Sequence, residues 1–501
     1  MLWAVTAVAE IRFPYELDYG EGPILNQVRL LLAGSSPYRG HGAPPYIVAN
    51  YPPVYLAAVA LLHILERGLA GLPGAGPGAG RALSAAATLA AALLFGGTVG
   101  RLQRGDGTRG PAPSGRARGF LAGALAAALV LAQPYVWRWG TLQRVDPLAL
   151  AWSAAGLFAV ARAPYRARRA WPWFLLAALT RQDAVEGLAA ALWYLWPDHR
   201  REARVLLLRW ALGLGAATAA LEAATRGQFL GNIVADNVNA WGLGRLGAAA
   251  GDWLQAGGLP LLAFAAWGWR LSRTLPDQGG RLLRGYLAAA AAVALTAGKV
   301  GSSVNYLLPT IGATAMLASL VVRTPGRALT AAGLLAAYAV GIPPLADRPG
   351  AAGTVERALS AYRDLGTPGF GALGPTPRSV LDPSDPSQAQ LVALLRRTPG
   401  PILSENMTAL VLAGHRIFFQ PFEMTQLAEG GRWNDGPVVA MADAGAFPLV
   451  VVQFPLSNTS AWDLQRWPAN LLAAVAGRYA LVRRLGPYSI YAPRGGGAGA
   501  V

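Results

Sequence analysis

The chain has 501 residues, of which 53% are hydrophobic and only 14% charged, and its mean hydropathy is +0.34. Soluble proteins carry about 25% charged residues, so this balance excludes a soluble enzyme and points to a membrane protein. The formal charge of +17 comes from arginines clustered between apolar stretches, a pattern that orients a membrane chain and excludes nucleic acid as a partner. Without cysteine there is no disulfide, thiolate nucleophile or zinc–thiolate site, and four scattered histidines do not make a metal cluster.

Up to about Pro343 the sequence alternates Ala/Leu/Val/Gly spans with Arg-rich connections, and from Leu345 to Val501 short soluble-type elements replace them. This divides the chain into a membrane domain, 1–344, and a tail domain, 345–501. Before Ile11 only ten residues are present, short for a full crossing of about 20 residues, so a start codon upstream is expected. An amphipathic segment follows at Ile24–Ala33, and the apolar helix 54–72, which carries His63, Glu66 and Arg67, is expected at the outer interface. Spans are predicted at 82–100, 119–136, 147–161, 205–224, 259–272, 286–298 and 307–322, with loops at 73–80 and 101–118. The stretch 172–196 is too short for two crossings and reads as two half-length helices meeting near Arg181-Gln182-Asp183. Charges there need a polar cavity, because each costs roughly 2.5–3.5 kcal/mol or more in lipid.

The arginine clusters at 101–118, 162–169, 200–204, 270–284 and 323–327 should face the cytoplasm. Each pair of clusters is then separated by an even number of crossings, with outside turns at 137–146, 226–258 and 299–306. The first loop, about 11–81, also lies outside, and a last span at about 328–344 carries the tail domain outward. The fold expected is mostly α, with about 11 spans plus interfacial helices, followed by a small α/β extracytoplasmic domain. In that tail, 401–404, 447–454 and 488–491 read as strands, and 384–397 and 461–476 as helices.

The polar motifs gather on the outer side. Glu16, Asp18 and Glu21 place three carboxylates just after the first helix. A solvated loop explains such a cluster equally well, but a pair at i and i+2 beside a membrane can hold a divalent metal or take a proton from an acceptor hydroxyl. Asp146 precedes Pro147, which suits a helix cap, while Arg144 suits an anion. Arg181 and Asp183 are either a functional site at membrane depth or an internal ion pair. Lys299 is the only lysine and is flanked by Gly298 and Gly301. In a chain otherwise committed to arginine this suggests a need for a compact ammonium, with a snorkelling side chain as the plain alternative.

In order and spacing these motifs resemble the GT-C superfamily of polytopic glycosyltransferases, which use polyprenyl-phosphate-linked sugars. Glu16-Leu17-Asp18-Tyr19 looks like its acidic motif, Gly34–Tyr38 and Asn50-Tyr51-Pro52-Pro53 like its next two segments. Arg144–Pro147, Leu179–Gln182, Gly227–Asn232 with Asn237 and Asn239, and Gly298–Tyr306 are similar to a bacterial, mannosyltransferase-like hexosyltransferase branch. Pro309 stands where that branch carries an acidic residue. The resemblance implies a multi-pass enzyme of the bacterial plasma membrane, moving a hexose from a polyprenyl-phosphate donor to a glycan, lipid or protein hydroxyl on the extracytoplasmic face with inversion. Such a transfer needs a carboxylate base, for which Asp18 is the choice, with Glu16 and Glu21 second. It also needs cations on the departing phosphate, for which Lys299 and Arg144 are the candidates, then Arg181. Tyr19, Tyr51, Asp146, Gln182, Asn305 and Tyr306 are expected to support substrate, and Glu16 with Asp18 would hold magnesium or manganese if a metal takes part. The competing class is a transporter or lipid flippase, which would show paired broken helices and internal symmetry. A non-catalytic scaffold comes third.

Overall fold

A computed structural model describes residues 2–70, 76–104, 113–323 and 386–495. Helix α1 (Leu2–Arg12) leads into the first loop, which folds as α2 (Glu21–Leu32) and α3 (Val54–Ala70). The helical body continues with α4 (Gly78–Arg104), α5 (Pro113–Ala132), the short α6 (Pro134–Trp139) and α7 (Asp146–Arg162). The half-length helices are α8 (Trp171–Thr180) and α9 (Glu186–Leu195). They are followed by α10 (Arg200–Ala224), α11 (Phe229–Ile233), α12 (Leu243–Trp253), α13 (Leu259–Ser272), α14 (Gly279–Ala294) and α15 (Leu308–Ala318). Among the described residues three helical stretches are long and apolar enough to cross a membrane by length and composition: Gly78–Arg104, Arg200–Ala224 and Val304–Val322.

The apolar spans expected from the sequence appear as helices, with shifted ends. The predicted span 119–136 breaks at Gln133, where Pro134 opens a new helix, because proline cannot donate to the helix before it. The span expected from 286 starts at Gly279 and tightens into a 3-10 turn at Leu295–Gly298. The expected span at 328–344 and the boundary after residue 344 lie outside the described residues. Helices α4 and α5 meet through paired glycines. A Cβ on Gly96 would lie 2.4 Å from the Gly123 carbonyl oxygen, and one on Gly119 would lie 2.8 Å from that of Gly100. Small residues four apart on both helices allow this backbone contact, the usual way helices associate without a hydrophobic drive between them.

The tail carries α16 (Ser387–Arg397), α17 (Met407–Leu412), α18 (Pro421–Glu429), α19 (Gly436–Asp443), α20 (Ala461–Arg466) and α21 (Ala469–Arg478) around a four-stranded sheet. Its order is β1-β2-β4-β3, where β1 is Leu403–Ser404, β2 Val450–Val452, β3 Tyr479–Leu485 and β4 Tyr488–Pro493. β1 and β2 pair in parallel and the other pairs are antiparallel. Two expectations are corrected. The helix predicted at 461–476 is divided at Trp467-Pro468, again by a proline, and β3 was not foreseen because its run Arg483-Arg484 has an exposed, charged edge.

The tail does not stand apart from the first loop. Tyr46 and Val48 belong to the same buried cluster as Leu403, Phe419, Val450 and Trp467. The Tyr46 amide donates to the Phe418 carbonyl at 2.8 Å and the Gln420 amide to the Tyr46 carbonyl at 2.9 Å. A Cβ on Gly22 would lie 2.6 Å from the Thr408 nitrogen, so α2 and α17 touch backbone to backbone. This docking closes a cavity between them.

Candidate active site

The acidic loop sends its three carboxylates in three directions. Asp18 opens a tight turn in which its Oδ2 accepts from the Gly20 amide at 2.8 Å and its carbonyl from the Glu21 amide at 3.0 Å. Short polar side chains often cap their own turn this way. The Asp18 carboxylate faces Arg144, whose Nη1 is 3.5 Å from Oδ2. The Arg144 guanidinium also lies 4.8 Å from the centre of the Trp139 ring. Burial disfavours its charge, but Asp18 and neighbouring acidic groups outweigh that and raise its pKa, so it stays cationic. It occupies the space above Gly20, where a Cβ would fall 1.3 Å from Nη1.

Glu21, proposed as a second base, is instead consumed by structure. Its carboxylate accepts from Arg81 Nε at 2.8 Å and Nη2 at 2.5 Å, from the Leu17 amide at 2.9 Å and from the Gln143 amide at 3.0 Å. Both Glu21 and Arg81 are fully buried. Burial would raise the Glu21 pKa, yet the Arg81 charge and these hydrogen bonds hold it below the usual carboxylate range. Glu16 points toward the tail, where its Oε2 accepts from the Thr408 amide at 3.1 Å. Burial pushes its pKa well up, against the lowering effect of Thr408. Glu16 and Asp18 therefore do not converge, and among the described residues no three His, Cys, Asp or Glu side chains form a metal-binding group. Glu16 and Asp18, facing different partners, do not form the shared ligand pair for magnesium or manganese that the sequence suggested.

A cavity of about 320 Å³ lies between the first loop, α12, the 299–306 segment and the tail. Of the residues singled out in the sequence, it is lined by Asp18, Tyr19, Tyr51, Arg144, Lys299 and Tyr306. Lys299 reaches it from the turn after α14, donating from Nζ to the Asn237 carbonyl at 3.1 Å and to Asn237 Oδ1 at 2.9 Å. Among the described residues it has no carboxylate partner in an ion pair. Burial lowers its pKa from the usual lysine value.

The remaining candidates sit one layer behind the cavity. Asp146 is not a helix cap: its Oδ1 accepts from Arg181 Nη1 at 2.6 Å and Asn305 Nδ2 at 2.8 Å. Arg181 pairs in addition with Asp183 at 2.7 Å and covers the Tyr306 ring at 4.2 Å. With two carboxylates on it and no place on the cavity wall, Arg181 is not a donor-phosphate ligand in this geometry; it braces Tyr306 and the junction of α8 and α9. Gln182 likewise ties loops together, donating to the Asn50 and Ile233 carbonyls at 3.1 and 3.0 Å.

Several lining residues escaped the sequence reading. Arg245 and Asp252 come from α12, and Trp462 and Arg466 from α20. α12 lies in a loop of unremarkable composition, and the tail residues are more than 400 positions from Asp18. Glu423 belongs to the stretch Arg416–Gln426, whose aromatics and Gln420-Pro421-Phe422-Glu423 suggest from sequence either contact with an acceptor or a packing or lid role, and its place beside Tyr19 comes only from the fold.

No family model matches the sequence, and no curated protein matches it. Solved structures do, among them ArnT from Cupriavidus metallidurans bound to undecaprenyl phosphate, at 15% identity and a TM-score of 0.61, and the same protein in the apo state, at 14% and 0.64. The alignments cover 98% of this chain and 96% and 95% of those chains, so the likeness spans helical body and tail together. The chain thus shares the fold of ArnT along nearly its whole length.

Proposed function

We propose that the protein is an integral-membrane glycosyltransferase that moves a sugar, a hexose by its motifs, from a polyprenyl-phosphate donor to an acceptor hydroxyl at the extracytoplasmic face, with inversion. The observation that carries this reading is that Asp18, Arg144 and Lys299, from three distant stretches, line one cavity. An ArnT structure that holds undecaprenyl phosphate within the same fold supports the donor class.

In this mechanism Asp18 takes the proton of the acceptor hydroxyl as that oxygen attacks the anomeric carbon. The bond from the anomeric carbon to the phosphate oxygen breaks, and the lipid phosphate leaves with the electron pair. Arg144 and Lys299 stabilise the charge that develops on it; fixed cations in a site shielded from water act strongly because they need no reorganisation. Glu21–Arg81 and Arg181–Asp146 hold the two sides of the cavity.

The test is to incubate the purified protein with radiolabelled polyprenyl-phosphate sugars and membrane extract. Label moving from donor to a new product supports the reading. No transfer from any donor, with movement of lipid or solute across vesicles, would favour a flippase or transporter.

A further inference from the structure

The cavity has a second wall, supplied by the tail, that the transfer mechanism above leaves without a role. Gln420, Phe422, Glu423, Gln426, Trp462 and Arg466 line it. Glu423 receives the Tyr19 hydroxyl on Oε2 at 3.5 Å and Asn50 Nδ2 on Oε1 at 3.4 Å. Both contacts are long for bonds to a carboxylate, which run to about 2.7–2.9 Å, and the Gln420 side chain is a further hydrogen-bond partner; with about four acceptor sites on its two oxygens, Glu423 keeps capacity for a ligand hydroxyl. Trp462 is 43% exposed although it lines a cavity, and Arg466 lies 5.4 Å from its ring centre and 5.1 Å from that of Tyr19. This wall is neither apolar enough for an alkyl chain nor cationic enough for a second phosphate, which would meet the Glu423 carboxylate. At about 320 Å³ the cavity is at the small end of small-molecule sites.

We propose that the acceptor is a saccharide whose ring lies against Trp462 and whose hydroxyl donates to Glu423, leaving a neighbouring hydroxyl for Asp18. This rests on the glycosyltransferase reading and names its acceptor class. A sugar ring has an apolar C–H face and hydroxyls at its rim, which is what an aromatic side chain beside a carboxylate and amides recognises. Burial raises the Glu423 pKa to about 7, against smaller lowering effects from its hydrogen bonds and from Arg144. The titratable and charged groups around it are Tyr19 from the first loop, Arg144 from the segment before α7, and, across Tyr19, the tail pair Arg466–Glu405. The ionised form accepts hydroxyls, so saccharide affinity should rise as pH increases through about 7.

The experiment is saturation-transfer NMR on the full chain in lipid nanodiscs, with methyl mannoside, methyl glucoside and maltose as probes. Enhancement is expected at the ring C–H protons of at least one of them, stronger at pH 8 than at pH 6. Glu423→Gln should raise the dissociation constant roughly ten-fold or more, as loss of a charge-assisted hydrogen bond does, and should remove the pH dependence. Trp462→Ala, at a half-exposed position, should remove the ring enhancement with the melting temperature unchanged. Tighter binding of the same sugar on undecaprenyl diphosphate would assign a lipid-linked acceptor, and equal binding a free glycan. Absence of enhancement for every sugar, while undecaprenyl phosphate still raises the melting temperature, would overturn the saccharide proposal and leave the donor reading standing. Binding of neither would remove both, and sugar binding unaffected by either substitution would place the saccharide elsewhere.

Discussion

Glu21→Gln should cost stability before it costs chemistry. The carboxylate accepts four bonds: two from Arg81, and one each from the Leu17 and Gln143 amides. Gln has one acceptor oxygen and an NH2 group that would face the Arg81 guanidinium, so a buried cation is left short of its partner. Breaking one side of a buried pair typically costs 3–5 kcal/mol, whereas replacing both sides with apolar groups of similar volume is often neutral. Glu21→Gln is therefore expected to lower the unfolding midpoint by several degrees in detergent, and because Arg81 also donates to the Glu10, Phe13 and Tyr15 carbonyls, Arg81→Met should be at least as destabilising. The pH dependence follows the same pair. The Glu21 pKa is depressed in the folded state, so its contribution is present above the unfolded value of 4.5 and is lost as pH falls through the folded value. In Glu21→Gln the stability difference from wild type should shrink on acidification. Thermal unfolding at pH 7 and pH 4 measures both effects, and a Gln variant as stable as wild type at pH 7 would refute the clamp.

Three other outcomes are expected. Lys299→Met should abolish binding of undecaprenyl phosphate with the fold intact, and Lys299→Arg should restore it only in part because a planar guanidinium needs different space; unchanged affinity in the Met variant would return Lys299 to a snorkelling role. Transfer by the purified protein should survive EDTA, since Glu16 and Asp18 face different partners, and loss of activity that magnesium or manganese restores would return a metal to the site. Because the chain has no cysteine, single cysteines near residues 42, 242 and 430 can be labelled against no background. They should react from the extracytoplasmic side and one near 276 from the cytoplasm, whereas residues 42 and 276 reacting on one side would break the proposed topology.

The helical body was legible because apolar length dominates the sequence there, and even the two half-length helices at 172–196 followed from counting residues against membrane thickness. Helix ends were less so. Pro134 and Pro468 each divided an expected element, since local chain chemistry overrides a continuous apolar run. At the site, Asp18, Arg144 and Lys299 were visible as residue types that conflict with their surroundings. The fate of Glu21 was not, because its partner Arg81 looked like the end of a loop and only folding buries the two together. Of the tail wall only the stretch Arg416–Gln426 stood out, as an acceptor contact or a packing segment; Glu423 and Trp462 reach the cavity because Tyr46 and Val48 of the first loop join the tail's core.

The central claim is that Asp18 takes the acceptor's proton while Arg144 and Lys299 hold the donor phosphate. Single-turnover transfer by Asp18→Asn, with undecaprenyl-phosphate binding measured in the same preparation, tests it most directly. The substitution is nearly isosteric and removes the proton-accepting function, so turnover should fall by roughly 10²–10⁴ while the lipid phosphate still binds. Full turnover in Asp18→Asn would contradict the account and remove the acidic loop from the chemistry.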